Sequence, residues 1–282
     1  MPTTPESHPG ELRTQDTTSR ARLSLARANR EPSERVYRGL ATAVHGLMSL
    51  TRRTWRDSQK LPSGGAIAVS NHMSYMDALV LGEYVIWSGR WPRFLGKAEL
   101  WKVPVVGWLA RSCGQIPVHR KSARAGEALI AAEEALHEGK LVTIFPEGTE
   151  TRDPELWPMS ARTGAARLAL KGHWPVIPIA QWGANDIMPG PKPTWPRFFP
   201  RKDVTVVCGD PVDLSDLYPH VGTDRESEAV RAATDRIMDA VTALLAEIRQ
   251  EQPPTDGRWD MRVGRRVPGT PYLDGPTAPE QR

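Results

Sequence analysis

The chain has only two cysteines in 282 residues, Cys113 and Cys208. That number excludes a disulfide framework, and neither thiol stands in a metal-spaced cluster, so a reducing cytosolic compartment is the default. No apolar run approaches the roughly 18–20 residues that a membrane-crossing helix requires. The first 35 residues carry polar and charged side chains but no apolar h-region, which excludes a secretory signal. Excess charge is small as well: 37 basic against 33 acidic side chains, a formal net charge of +4. Such a balance suits an anionic surface or a phosphorylated small molecule. It does not demand nucleic acid, and no recognition helix, zinc finger or interleaved aromatic–basic repeat supports that partner. A Gly-x-Ser-x-Gly elbow is missing too, which removes the usual strand-to-helix serine nucleophile.

What is present organises the chain into three parts. Residues 1–35 lack periodicity and read as a disordered leader. Residues 36–251 read as one domain. The Pro-rich, basic stretch 252–282 reads as a disordered tail. Within the domain, Val36, Leu40, Val44, Leu47 and Met48 recur at helical spacing, flanked by Arg38, Arg52, Arg53 and Arg56. The spacing predicts an amphipathic helix over 36–57. Its apolar face can lie in the boundary of an anionic membrane, or it can pack on the domain's own core. Beyond it, short apolar runs alternate with helical patterns. Strands are predicted at Ala66–Val69, Phe94–Leu95, Gln115–Val118, Leu141–Phe145, Val176–Ile179 and Val204–Cys208. Helices are predicted at Ala78–Trp87, Val103–Arg111, Ser122–Glu138 and Thr163–Leu170. Residues 185–202 read as a long loop, and Asp224 as the cap of a long C-terminal helix. Alternating strands and helices make this an α/β domain.

Two segments at strand ends carry chemistry. His72 follows the Ala66–Val69 run, and Asp77 stands five positions on. Imidazole titrates near neutrality, and a carboxylate on its other nitrogen fixes the tautomer a general base needs. Five residues inside one helix would turn the two side chains about 140° apart. His72 is therefore expected in the strand-to-helix turn, with Asp77 in the first helical turn. Ser74-x-x-Asp77 also has capping-box spacing, so the same aspartate can serve the helix end alone. Without an enzyme nucleophile, the economical mechanism is attack by a substrate hydroxyl on an acyl donor.

The second segment is Phe145-Pro146-Glu147-Gly148-Thr149, again at the end of an apolar run. Gly148 permits a positive φ and close approach of a ligand, and successive N–H groups there can hold an oxyanion. Glu147 can orient a hydroxyl or an arginine. The same residues also spell an ordinary β-turn. Arg120 and Arg152 follow strand ends, where α/β sites collect, and guanidinium binds phosphate bidentately. Arg162-Thr163-Gly164 opens a helix and offers either a further anion contact or close helix packing.

Taken in order, these blocks resemble the glycerophosphate/lysophosphatidate acyltransferase family over about residues 66–190. Asn71-His72-x4-Asp77 resembles its His/Asp motif. Gly114 through Arg120 resembles a block ending in a phosphate-contacting arginine. Phe145 through Thr149 resembles the block that holds the acyl acceptor, and Val176-Ile177-Pro178-Ile179 a proline-containing strand. The resemblance implies a single mixed β-sheet flanked by helices, with His72 and Asp77 catalytic and Arg120, Glu147, Gly148, Thr149 and Arg152 binding substrate. It implies acyl transfer from acyl-CoA or acyl-carrier protein to 1-acyl-glycerol-3-phosphate, with no other cofactor. The expected partners are a lysophospholipid and an anionic membrane surface, at the cytoplasmic face of the cell membrane. The alternatives are the same chemistry on another lysolipid or glycolipid, a thioesterase, or a non-catalytic lipid-surface protein. Two positions depart from the pattern: Glu150 stands where arginine usually follows the threonine, and His119 where an acid usually precedes Arg120.

Overall fold

The computed structural model describes residues 35–119, 125–190 and 194–268. Seven strands form one sheet in the order β1-β7-β6-β2-β5-β3-β4. They are β1 (Arg52–Arg56), β2 (Ala66–Ser70), β3 (Pro92–Lys97), β4 (Ile116–Val118), β5 (Leu141–Ile144), β6 (Val176–Trp182) and β7 (Asp203–Cys208). Strands β6, β2, β5, β3 and β4 run parallel, and β7, with β1 beside it, runs against them. The helices are α1 (Arg35–Met48), α2 (Asp77–Trp87), α3 (Pro104–Ser112), α4 (Ala125–His137), α5 (Gly164–Gly172), α6 (Ala184–Ile187) and α7 (Glu226–Arg249). This is the expected mixed sheet flanked by helices, with a long C-terminal helix.

Both faces of the sheet are covered, which is why its central strands are apolar throughout rather than alternating. In β2, Ile67 and Val69 point to the face covered by α4, α5 and α7, while Ala66 and Ala68 point to the α2 face. Along α7, Val230, Ala233, Ile237, Val241 and Leu245 are all buried at helical spacing. Each of these side chains larger than alanine stabilises the fold by about 1.5–3 kcal/mol on leaving water.

Four expectations need correction, and one that was left open is decided. The predicted 36–57 helix stops at Met48, and residues 52–56 form edge strand β1 paired with β7. The Arg52-Arg53-Thr54-Trp55-Arg56 run has period two rather than 3.6, and charge on an edge strand discourages pairing with other chains. Nor does α1 hold its apolar stripe free for lipid. Tyr37, Ala41 and Met48 are buried, Tyr37 and Ala41 in a cluster with Ile86, Trp91 and Cys113. The arginines are engaged as well: Arg52 forms a bidentate pair with Asp203 at 2.5 and 2.8 Å, Arg53 meets Glu83, and Arg56 meets Glu247.

At the other end, the long helix begins at Glu226 without an Asp224 side-chain cap. The Glu226 carboxylate instead reaches back to the Gly222 N–H at 2.8 Å. The 185–202 loop contains the short helix α6 at its start. Finally, the stretch read as a disordered tail is ordered to residue 268. It makes a hairpin of β8 (Arg258–Asp260) and β9 (Arg265–Val267). Polar interactions dock it: Arg266 grips the buried Asp153 at 2.6 and 2.7 Å, and the Ser160 N–H donates to the Trp259 carbonyl at 3.0 Å. A search for apolar periodicity does not register such contacts. The expected leader, and the tail beyond 268, lie outside the described residues.

Candidate active site

Strand β2 ends at Ser70, and the next residue anchors the site. Asn71 donates from Nδ2 to the Gln181 carbonyl at 3.0 Å and accepts the Gln181 N–H on Oδ1 at 2.9 Å. This pins the end of β2 to the end of β6. His72 then leaves the sheet with both backbone groups engaged. Its N–H donates to Glu147 Oε1 at 2.9 Å, and its carbonyl accepts the Thr151 N–H at 2.7 Å. The ring lies on Phe145, centroids 4.4 Å apart. Backbone and ring are thus held by the turn after β5.

Asp77 opens α2, and its Oδ2 lies 2.8 Å from His72 Nδ1. The same oxygen accepts the N–H of Ser74 at 2.8 Å and that of Met73. Both readings of the Ser74-x-x-Asp77 spacing are therefore realised by one carboxylate: it ties down the turn and it faces the imidazole. Ser74 Oγ accepts the Met76 N–H at 3.1 Å and points its one proton at the Met188 carbonyl (2.7 Å), with the Ala184 carbonyl a longer alternative at 3.1 Å. An acceptor-only carboxylate at Nδ1 places the ring proton there and leaves Nε2 with its lone pair outward. Asp77 is wholly buried, whereas the His72 side chain keeps 17% of its surface exposed. Burial alone would lower the imidazole pKa. The Asp77 hydrogen bond, with the charges of Asp77, Glu150 and Glu147, outweighs it and raises the value above 6.5.

The turn after β5 is shaped by Gly148, whose φ is +75° and whose missing Cβ would fall 2.9 Å from Arg162 Nε. That backbone belongs to glycine. Glu147, expected at the substrate, lies beneath the site instead. It is 1% exposed, and its oxygens accept the N–H groups of His72 and Met159, each at 2.9 Å. Burial pushes its pKa up to about 8, against the downward pull of those two donors and the imidazole. Its position makes it a strut for the His72 turn. Thr149 is half-buried and donates from Oγ1 to Glu150 Oε2 at 3.0 Å. Arg152 has an exposed side chain, and its N–H faces Met159 Sδ. Arg120 lies outside the described residues.

Three residues have roles at the site that the sequence reading did not assign to them. Glu150 Oε1 stands 3.8 Å from His72 Nε2, on the edge of the ring away from Asp77. Gln181 was legible only as the single polar residue within the apolar run of β6. Phe145, read as the end of a strand, is the floor under the imidazole. On the far side of the same turn, a cleft of about 300 Å³ is lined by Leu95, Val118, Leu129, Phe145, Gly148 and Arg162 among others.

A buried aspartate behind a strand-end imidazole can support a general base acting on a hydroxyl. Residues 52–182 match the family described as Acyltransferase, so the chain carries an acyltransferase domain. That match, with the relatives that follow, supports the lysophosphatidate acyltransferase family. A chloroplastic 1-acyl-sn-glycerol-3-phosphate acyltransferase of Brassica napus is 34% identical over 134 residues, 46% of this chain and 37% of that protein. A lyso-ornithine lipid O-acyltransferase of Pseudomonas aeruginosa is 34% identical over 125 residues, 44% of this chain and 46% of that one. The chain thus spans less than half the length of either relative. The crystal structure of the 1-acyl-sn-glycerophosphate acyltransferase PlsC from Thermotoga maritima shares the fold. Its TM-score is 0.58 at 22% identity, over 77% of this chain and 81% of that one.

Proposed function

We propose that the protein transfers a fatty acyl group from a thioester, acyl-CoA or acyl-carrier protein, to the free hydroxyl of 1-acyl-glycerol-3-phosphate. The product is phosphatidic acid. The observation that carries this reading is the His72–Asp77 pair, 2.8 Å apart, which leaves Nε2 as the ring nitrogen not held by Asp77. Nε2 takes the hydroxyl proton as the oxygen attacks the thioester carbonyl. The C–O bond forms, the C–S bond breaks, and the imidazolium returns the proton to the departing thiolate. Asp77 holds the imidazole and balances its charge during the step. Because thiolate is a good leaving group, no acyl-enzyme is required. The Gly148 N–H is taken by the Phe145 carbonyl at 3.0 Å, so the backbone N–H of Thr149 steadies the oxyanion, while Arg120 and Arg152 receive the acceptor phosphate. The work takes place on the cytoplasmic face of the cell membrane. Among the described residues no helix is long and apolar enough to cross one.

A second acceptor class is favoured by Glu150. A carboxylate 3.8 Å from Nε2 repels a phosphate dianion brought close to the reacting hydroxyl and tolerates a neutral or cationic group there. The similarity to a lyso-ornithine lipid O-acyltransferase points the same way. One experiment separates the readings: purified protein, radiolabelled acyl-CoA, and a panel of lysophosphatidate, other lysophospholipids and a lyso-aminolipid. Phosphatidate as the main product supports the first reading, and acylated aminolipid the second. Free fatty acid in every tube sinks both. His72→Ala should abolish transfer while the circular dichroism stays that of wild type, and full turnover in that variant would refute the site.

A further inference from the structure

Twelve large hydrophobic side chains are exposed among the described residues, and five of them fall between positions 100 and 108. They are Leu100 (46% exposed), Val103 (47%), Val105 (68%), Val106 (42%) and Trp108 (53%). They lie in the 3-10 turn Ala98–Lys102, in α3, and at Val103 between the two. An apolar patch this concentrated on a soluble surface marks a contact.

The patch is built rather than loose. Gly107 lets α3 lie directly on the Trp101 backbone, since a Cβ there would come within 2.2 Å of the Trp101 carbonyl oxygen. The Trp101 ring in turn lies over Gly96, and Arg111 donates to the same Trp101 carbonyl at 3.2 Å. Exposed Lys97, Lys102 and Arg111 surround the apolar residues, against a single exposed acid, Glu99. The segment starts where β3 ends, on the edge of the parallel strands that also carries His72. A ring stack from Phe94 in β3 through Phe145 to His72 joins the two regions.

We propose that this surface docks the protein on a lipid bilayer bearing anionic headgroups. Valine, leucine and tryptophan side chains enter the acyl boundary, and Lys97, Lys102 and Arg111 sit at the level of the phosphates. It replaces α1 as the membrane contact, because the arginines after α1 are spent on this protein's own acids. The leader is a poor alternative cover. Residues 1–34 hold three leucines and no valine, isoleucine, phenylalanine, tyrosine or tryptophan. The choice of a bilayer over a protein partner rests on the lipid-acceptor reading above.

The test is co-sedimentation of the full chain with vesicles of phosphatidylcholine mixed with phosphatidylglycerol. It compares wild type with Val105→Glu, Trp108→Glu and, on α1, Leu47→Glu. Each α3 substitution should weaken partitioning about tenfold, the scale expected for part of one apolar side chain withdrawn from lipid, and added salt should weaken it further. Leu47→Glu should bind as wild type. A Val105→Cys variant carrying an environment-sensitive dye should shift to the blue on vesicles. Native Cys113 and Cys208 are buried and stay silent. Unchanged binding by the α3 variants, binding lost through Leu47→Glu, or a wild-type dimer that Val105→Glu dissolves without any vesicle binding would each overturn the proposal. Acyl transfer to a monomeric short-chain lysolipid should survive Val105→Glu. If wild type transfers to no acceptor yet docks through α3, the acyltransferase reading fails while the surface stands.

Discussion

Replacing Asp77 separates two duties performed by a single oxygen. Oδ2 accepts from the His72 ring and from the N–H groups of Met73 and Ser74, all buried or nearly so. Alanine at this position leaves two buried backbone donors without a partner. At about 1–3 kcal/mol each, the expected loss is about 2–6 kcal/mol, a large share of the roughly 5–15 kcal/mol that holds a domain together. Asparagine keeps an acceptor oxygen for the turn, so Asp77→Asn should unfold close to wild type. It removes the charge, however, and with it most of the upward pull on the His72 pKa, while the opposing effect of burial remains. The acid limb of kcat/KM should then move to lower pH, because the imidazole sheds its proton more readily. The imidazolium formed in the transition state loses its counter-charge, and kcat should fall about 10²–10⁴-fold. Urea unfolding gives the stabilities, and release of free thiol from acyl-CoA gives the rates. An asparagine variant within threefold of wild type, or one that slows without any movement of its acid limb, would refute this account of the pair.

Glu150→Gln removes a negative charge facing Nε2. The His72 pKa should drop, carrying the acid limb of kcat/KM to lower pH, and the ratio of rates on phosphate-bearing to cationic acceptors should rise. An unchanged ratio would remove Glu150 from acceptor selection. Glu147→Ala leaves the N–H groups of His72 and Met159 unpaired and should cost about 2–6 kcal/mol in urea unfolding. Because the folded pKa of Glu147, about 8, lies above the ordinary 4.5, its stability contribution is full below 4.5 and lost as pH rises through 8. Glu147→Gln should flatten that decline in a pH series of melting curves. Arg266→Ala strands the buried Asp153 carboxylate and should cost about 3–5 kcal/mol. Truncation after Gln252 should destabilise similarly, and a truncated chain as stable as the whole would show the hairpin to be idle.

Much of this was legible without coordinates because the code for it is local. Period-two and period-3.6 patterns located β2 to β7 and the helices between them to within a few residues, while edge strand β1 was read as helix. The five-residue step from His72 to Asp77 required a strand-to-helix turn, since a continuous helix would have separated them. Gly148 announced a turn only glycine makes comfortably. Local pattern failed where a side chain's partner is remote. Arg52, Arg53 and Arg56 read as lipid-facing charge until Asp203, Glu83 and Glu247, up to 191 positions away, were seen to neutralise them. The periodicity of α1 said that one face was apolar but not what would cover it.

The sequence by itself determined the alternation of elements, the α/β class, and the residue types able to run base-assisted transfer at two strand ends. Only the tertiary structure decided that Glu147 lies beneath the site as a strut and Glu150 beside Nε2 of the imidazole, that residues 253–268 close on Asp153 and α7, and that the uncovered apolar surface belongs to α3 and the turn before it. Backbone propensity and spacing act over a handful of neighbours. Which carboxylate is buried, and which apolar face stays wet, depends on segments brought together only when the sheet closes.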